Sequence, residues 1–446
     1  MKSYGKRKYI NAGVGFVLLL FLGLLYSWSI FIGPLEEAFG WQRSETSSIF
    51  TVSIVFFWVG NIMSGYITRK FSARTTILIS AIAAAAGFGA SAFTPSLTWI
   101  YVSYGVLCGF ATGMGSNGIL SAVLKWFPDR PGTASGALMM AIGFGSLVLS
   151  PFVTSLLNTV GWGGAFGALA VAFGVLLAGG ALIMSEPPAD YLAAHQPRAA
   201  AQNVGSQAPT SYTTKAMLRT PTFWTFILWA VLIGTGGLAL ISNAVPAAQD
   251  VLSGSMDAST ALMTATMAMG SISAFNGFGR LASGFAWDRA GCRATIVSIS
   301  SLYLVAMASC AIGTSASVFP LLVFGFIVLG LAYGASLAAT SALISSVFGQ
   351  EHYGMNYACA LLNMVIAACV GPTISGVLRA STGSYFDAYV VFLVLAAASL
   401  IVAFFVKLPN APAKQKKKSA PHIPHVLAGG EAPSTVASAT ALPAAE

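Results

Sequence analysis

The sequence predicts an all-α polytopic membrane protein, with twelve transmembrane helices arranged as two parallel six-helix halves. The chain is 56% hydrophobic but only 8% charged, whereas a soluble domain carries roughly 25% charged residues. Apolar runs of about 20 residues recur along nearly the whole chain, a length that matches a hydrocarbon core of ~30 Å. Lipid offers no partners to backbone groups, so runs this long and apolar must be helices.

The apolar runs divide the chain into two halves joined by a polar segment. Residues 1–184 form the predicted N-terminal six-helix bundle and 222–407 the C-terminal one. The segment 185–221 is rich in Pro, Ala, Gln and Ser, which is typical of a cytoplasmic linker, and 408–446 reads as a disordered cytoplasmic tail. The predicted spans lie near 9–33, 46–68, 75–94, 98–122, 132–158, 164–184, 222–245, 259–286, 295–314, 318–344, 355–378 and 386–407.

The distribution of basic residues predicts the orientation. Of the 22 Lys and Arg residues, 19 fall on one side, in the N-terminus, alternate loops, the linker and the tail. Cytoplasmic loops carry such an excess, so we expect both termini in the cytoplasm and a multi-pass protein of the inner membrane. The net charge of +9 then reflects topology, and nucleic acid binding need not be invoked.

Cysteine and histidine usage gives little basis for catalysis or metal binding. The five cysteines form no CxxC pair, and the histidines His195, His352, His422 and His425 all fall in predicted loops or the tail. A membrane enzyme would need a catalytic constellation inside the bilayer, and we expect none. We also expect no metal and no cofactor, and a functional monomer.

A loop pattern repeats at about half the chain length. Gly65-x4-Lys70-x3-Arg74 recurs as a second copy 219 residues later. An even number of spans separates the two copies, so both halves have the same orientation. Parallel halves related by an axis along the membrane normal are a known transporter plan, with substrate bound near the midplane between them.

The second copy is the more complete one. Gly284-x3-Asp288-Arg289-x-Gly291-x-Arg293 resembles the signature loop of the major facilitator superfamily. The resemblance implies a gating loop. The glycine allows close helix approach, the aspartate caps or pairs at a helix end, and the basic residues face the membrane surface.

The first copy departs from this pattern at two positions. Arg69 replaces the aspartate and Ser72 replaces the second glycine. We therefore expect a weaker charge latch in the first half.

Further fragments narrow the resemblance. They are the segments 125–136 (KWFPDRPGTASG), 219–224 (RTPTFW), 26–28 (YSW), 275–280 (FNGFGR) and 356–357 (NY). Over about residues 9–407 the chain is similar to the oxalate/formate antiporter family, a relative of the monocarboxylate porters. Both families move small carboxylates, which the resemblance implies as the substrate class.

Arg280 is the only formal charge that the predicted spans bury near the midplane. An arginine there costs ~2.5–3.5 kcal/mol on insertion scales, so it normally faces a cavity or a partner. No acidic residue is placed to pair with it, which favours the carboxylate of a substrate. In the resembling family the arginine at this position is the carboxylate site. Snorkelling to the cytoplasmic end, or bonding to helix carbonyls, is the alternative.

Asn276 lies one turn before Arg280, on the same helix face. Proton-coupled monocarboxylate porters are expected to have an acid there, and an amide cannot titrate. This favours an exchanger or a facilitator over a proton-coupled symporter, which stays an alternative because Asp257 could titrate near the outer gate. A helix-packing role for Asn276 is equally open.

A second departure concerns the eleventh span. Oxalate carriers of the family have a lysine where this chain has Met364, beside Asn363. One cation in the cavity matches one anionic group, so we expect a monocarboxylate resembling lactate, pyruvate or formate. A longer apolar acid and an oxalate-type dicarboxylate exchanged with formate are the alternatives.

Five more residues are candidates for the cavity wall. Tyr26, Trp28 and Tyr333 offer aromatic faces, and Asn117 and Asn243 are amides within apolar runs. Ordinary packing is the competing role for the aromatic residues. An interhelical hydrogen bond is the competing role for the amides.

Overall fold

The computed structural model describes residues 4–188, 190–191 and 211–407, and the regular structure of this part is helical throughout. The first half contains Tyr4–Leu22, a 3-10 segment Gly23–Ser27, Ser29–Phe39, Arg43–Lys70, Ala73–Ser91, Leu97–Ile100, a π-helical segment Tyr101–Cys108, Gly109–Leu124 and Pro131–Ile183. The second contains Thr214–Leu218, Pro221–Leu252, Ala258–Ser315, Phe319–Val347, Tyr353–Ala360, Leu362–Thr382 and Phe386–Phe405.

Ten helical segments of the described chain are long and apolar enough to cross a membrane, and two of them, of 53 and 56 residues, are long enough to cross it twice. Pro131–Ile183 reverses at Gly161 (φ 70°, ψ 178°) and Ala258–Ser315 at Gly291 (φ 79°, ψ 177°). Only glycine adopts this region of the backbone map readily. The described chain therefore has the twelve predicted spans, with the connections after spans 5 and 8 shorter than predicted.

We number the spans along the chain by their residues. They are spans 1 (4–39), 2 (43–70), 3 (73–91), 4 (97–124), 5 (131–160), 6 (162–183), 7 (221–252), 8 (258–290), 9 (292–315), 10 (319–347), 11 (353–382) and 12 (386–405). The end of each span that lies near the loops 69–74, 125–130 and 289–293 defines what we call the basic side. An even number of spans places both ends of the described chain on that side.

The last part of the predicted linker contains regular structure. Thr214–Leu218 is a short helix, and the residues before it contact span 11. The side chain of Asn356 donates to the carbonyl of Tyr212 at 3.0 Å and accepts from the hydroxyl of Thr214 at 2.8 Å. The predicted linker at 192–210 and the predicted tail at 408–446 lie outside the described residues.

Small residues on span 4 set the position of span 2. A methyl group on Gly109 would lie 2.5 Å from the carbonyl oxygen of Ser53, and one on Gly113 would overlap the backbone of Phe57. Backbones can approach this closely only where no side chain intervenes. Span 2 therefore lies directly against the buried span 4. In this position span 2 can contact the second half.

The turn at Gly291 gives a stability prediction. We expect Gly291→Ala to lower the free energy of unfolding by about 1–3 kcal/mol, because alanine is strained at this φ and ψ although no atom obstructs it. Thermal unfolding of the purified protein measures the change. Gly270→Ala is the matched control, since that helical glycine also has no atom within 4 Å of an added methyl. Equal melting temperatures for both variants would contradict the prediction that alanine is strained at position 291.

Candidate functional site

Arg280 lies in span 8 with only 5% of its surface exposed. Its Nε donates to the Oδ1 of Asn276 at 3.0 Å, and its Nη1 donates to the backbone carbonyl of Met139 at 2.8 Å. Met139 belongs to span 5, so the guanidinium is bonded to both halves of the molecule. A guanidinium has five N–H donors, and three of them are left for other partners.

Three tyrosines lie near this guanidinium. The hydroxyls of Tyr26, Tyr333 and Tyr357 lie within electrostatic range of Arg280, and the three residues come from spans 1, 10 and 11. None of these hydroxyls has a hydrogen-bond partner among the residues that the structure describes. The arrangement brings one cation and three free phenolic donors together from both halves, a combination that can bind an anionic oxygen.

Tyr357 is the member of this group that sequence reasoning missed as a site residue. Its ring stacks on Tyr353, with centroids 5.3 Å apart and planes 9° from parallel. The hydroxyl of Tyr353 pairs in turn with that of Ser341 at 2.7 Å. This stacking fixes the position of Tyr357. The sequence marked the residue only as part of the motif that opens span 11.

A small cavity beside Tyr333 is lined in part by the predicted residues of span 11. It has room for about one water molecule and is lined by residues of spans 7, 10 and 11, including Tyr333, Asn363 and Met364. Met364 and Asn363 are both buried. Met364, which stands where oxalate-type relatives are expected to have a lysine, is therefore part of a neutral wall of this cavity.

Two residues predicted for the cavity wall make other contacts in the structure. Trp28 is 1% exposed, packs on Tyr104 at 4.3 Å between ring centroids, and donates its indole N–H to the carbonyl of Thr46. Asn243 donates to the carbonyl of Ala239 and accepts from the hydroxyl of Tyr385. The described polar contacts of both side chains lie within their own halves, and one of the two N–H donors of the half-buried Asn243 amide has no described partner.

Spans 5 and 8 meet along a line of glycines that we call the 5·8 seam, formed by Gly132, Gly136 and Gly143 on span 5 and Gly277 and Gly284 on span 8. A methyl group on Gly136 would lie 2.5 Å from the carbonyl oxygen of Arg280, and one on Gly284 would overlap the backbone of Gly132. No larger side chain fits there without separating the two spans.

Asp288 closes the 5·8 seam at its basic end. Its two carboxylate oxygens accept from the backbone N–H groups of Gly132 at 2.9 Å and Thr133 at 2.6 Å, at the start of span 5. The first N–H groups of a helix have no partners within it, and a negative charge there is favourable. The signature aspartate of the second half therefore caps a helix of the first half.

Spans 2 and 11 meet in a corresponding contact, the 2·11 seam. A methyl group on Gly65 would lie 2.6 Å from the backbone nitrogen of Met355. The fully buried Asn117 of span 4 donates to the carbonyls of Asn61 and Gly354, each at 2.8 Å. Asn117 thus takes the hydrogen-bonding role that competed with its predicted cavity role, and it bonds to both halves.

The basic signature residues are exposed and make their described contacts within their own halves. Lys70 and Arg289 lie over the rings of Phe71 and Phe285, and Arg293 lies over Phe404 at 5.5 Å. Arg74 donates to the carbonyl of Leu182 at 3.1 Å, which connects span 3 to the end of span 6.

The described contacts between the halves close the molecule on the basic side. In the 5·8 seam they extend from Asp288 at the basic end to Phe144, whose ring meets that of Phe278 at 5.3 Å near the middle of the span. In the 2·11 seam they extend from Gly65 to Trp58, which donates to the carbonyl of Ala358 at 3.2 Å. Arg280 lies at the inner end of this closed region.

The sequence matches the Major Facilitator Superfamily over residues 14–316 and 277–439. The chain belongs to the Major Facilitator Superfamily. It is therefore a multi-pass membrane transporter and not an enzyme. Within the described residues, no group of three or more His, Cys, Asp or Glu side chains could hold a metal ion.

Known members of the superfamily resemble the chain over most of its length. The oxalate:formate antiporter of Oxalobacter formigenes is 24% identical over 392 residues, covering 86% of this chain and 89% of that protein. Monocarboxylate transporter 13 of Rattus norvegicus is 25% identical over 382 residues, covering 83% and 82%. The solved transporter FucP in its outward conformation shares the fold, with a TM-score of 0.67, 16% identity, and 90% and 100% coverage.

The cap made by Asp288 gives a conformational prediction. We expect Asp288→Asn to lower the ratio of closed to open molecules on the basic side by roughly threefold, because one acceptor and the negative charge are lost at the start of span 5. Spin labels on Phe71→Cys and Glu351→Cys, in a background with the five native cysteines replaced by serine, report the distance across the basic side.

Asp257→Asn is the matched control for this experiment. Asp257 accepts from the backbone N–H of Thr260 at 3.0 Å and so caps span 8 from within the second half. Its replacement should leave the distance distribution unchanged. A similar shift in both variants would mean that Asp288 stabilises its own half and does not latch the two halves together.

Proposed function

We propose that the chain moves a small organic monocarboxylate, such as lactate, pyruvate or formate, across the inner membrane by alternating access, as an exchanger or facilitator. The observation that carries the proposal is the guanidinium of Arg280, buried between the halves with three N–H donors free. The basic side is taken as cytoplasmic, because loops rich in Lys and Arg are retained on that side.

The surroundings of Arg280 support an anionic ligand. Both of its bonds are to neutral oxygens, from Asn276 and Met139, and no described salt bridge involves it. A buried cation without a counter-charge is costly, and a carboxylate is a planar partner that a guanidinium grips with two parallel bonds. Snorkelling does not fit a side chain that is 5% exposed. The bond to the helix carbonyl of Met139 uses only one of the five N–H donors of the guanidinium, so it does not prevent binding of a ligand.

The neutral wall at Met364 favours one carboxylate over two. A second carboxylate on the ligand would need a second cation near Arg280, and the residues that line the small cavity at Tyr333, Asn363 and Met364 include none. The relatives named for oxalate and formate exchange or for monocarboxylate transport support the carboxylate class. An oxalate-type exchanger is the alternative if a lysine at this position is not required.

The described acidic residues favour exchange or facilitated diffusion over proton coupling. Asp250 is paired with Arg379 at 2.9 Å, and Asp257 caps the start of span 8. Asn276, beside the arginine, cannot titrate. A proton-coupled symporter is the alternative. Proteoliposomes distinguish the two mechanisms, because symport accumulates substrate in response to an imposed pH gradient and exchange responds to substrate on the opposite side.

Arg280→Gln tests the site directly. We expect carboxylate affinity to fall at least about 30-fold, because truncating a buried hydrogen-bonded charge costs about 2–5 kcal/mol of binding. Thermal-shift titration with a panel of monocarboxylates measures binding, and counterflow measures transport. Arg379→Gln is the control, since it removes an arginine that is paired with Asp250. Unchanged carboxylate binding by Arg280→Gln would refute the proposed site.

Met364→Lys tests the choice between one and two carboxylates. The new ammonium should raise affinity for oxalate relative to lactate, because it supplies the second cation that the cavity lacks. Met364→Leu is the control, since it keeps the wall neutral and of similar volume. The ratio of oxalate to lactate counterflow checks the expectation. An unchanged ratio for the lysine variant would contradict the charge-matching argument.

A further inference from the structure

Arg280 makes contacts both within the second half and across to the first half. On span 8 it bonds to Asn276 and faces the tyrosine hydroxyls. Across the 5·8 seam it donates to the carbonyl of Met139 at 2.8 Å. A hydrogen bond to a charged group is among the stronger polar contacts in a buried site. The residue assigned to the substrate therefore also stabilises the closed basic side.

Gly143 lies beside this bond. It lies one turn after Met139 on span 5, and a methyl group there would be 3.5 Å from both Cζ and Nε of Arg280 and 3.2 Å from the Cα of Gly277. A β-branched side chain would extend from that methyl position into the space of the guanidinium. A methyl group would make only ordinary contact with Arg280, so the side chain must be larger than alanine to displace the guanidinium from the carbonyl.

We propose that Met139 and Gly143 form a cradle that holds the guanidinium of Arg280 while the site is empty, so that the empty carrier rests closed on the basic side. The proposal rests on the proposed function only in taking Arg280 as the substrate-binding group. Gly143 and the carbonyl of Met139 are positioning elements, since they act on the substrate through Arg280.

The cradle couples the binding of substrate at Arg280 to the separation of spans 5 and 8. When spans 5 and 8 separate, Arg280 loses the carbonyl of Met139. In an empty carrier the guanidinium then keeps Asn276 as its only described partner. In a loaded carrier the substrate carboxylate stays bound and compensates the buried charge. Opening the basic side is therefore less costly with substrate bound, which makes exchange faster than net movement.

A double-mutant cycle on the substrate-free protein tests the cradle. The variants are Gly143→Val, Arg280→Met and the two together, each with spin labels on Phe71→Cys and Glu351→Cys. We expect Gly143→Val alone to lower the ratio of closed to open molecules by roughly tenfold, as for the loss of one charged hydrogen bond. Arg280→Met should lower it similarly.

The combined variant separates the cradle from simple packing. If valine acts by displacing the guanidinium, its effect in the Arg280→Met background should be at least about fivefold smaller than in the native background. Equal effects in both backgrounds would mean that Gly143 serves only the fit between spans 5 and 8, which overturns the proposal. An unchanged distribution in Arg280→Met would overturn it as well.

The cycle does not depend on the identity of the substrate. It uses no ligand, so failure of the carboxylate assignment leaves its result intact. Lactate added to the native labelled protein forms the second arm, with a shift toward the open basic side as the expected result. A ligand-induced shift that survives in Gly143→Val at full size would show that substrate opens the seam without the cradle, and would refute the coupling.

Discussion

The contact on which the rest depends is the one between the guanidinium of Arg280 and the first half of the molecule. A charge at this depth must be compensated, and the only described hydrogen bonds to it come from one side chain and one backbone carbonyl. It lies where the two halves meet and where tyrosines of both halves converge. A change in the partners of Arg280 therefore affects both ligand binding and the contact between spans 5 and 8.

The two seams reach closure by different chemistry. In the 5·8 seam the carboxylate of Asp288 caps span 5, as the signature loop implies. In the 2·11 seam the corresponding position is Arg69, which cannot accept from a helix start. There the buried amide of Asn117 and the indole of Trp58 donate across to backbone carbonyls of span 11. Both seams have close packing at glycines, but the polar groups that bond across them differ.

The sequence predicted the architecture well because its strongest signals are local. The twelve apolar runs and the repeated loop follow from composition and spacing, and the structure confirms the twelve spans. The length of the connections was predicted less well. Gly161 and Gly291 reverse the chain within a single residue. The charged signature loop marks the turn at Gly291, but composition does not show how short a turn is.

The candidate site was predictable in part. Arg280 and Asn276 stand out because a charge and an amide are rare in apolar runs. The partners of Trp28 and Asn117 depend on how spans from distant parts of the chain pack, which spacing alone does not determine. Tyr357 was overlooked because an aromatic residue in a membrane helix is ordinary, and only the fold brings it to Arg280. The Met139 carbonyl has no sequence signal at all.

The central claim is that Arg280 holds the carboxylate of the transported molecule. An X-ray structure with a bromine-substituted monocarboxylate such as 3-bromopropionate tests it most directly, because anomalous scattering locates the bromine independently of the protein phases. The account predicts a bromine peak beside Arg280, with the carboxylate on the guanidinium among Tyr26, Tyr333 and Tyr357. A ligand bound elsewhere, with the guanidinium still lacking an anionic partner, would contradict it.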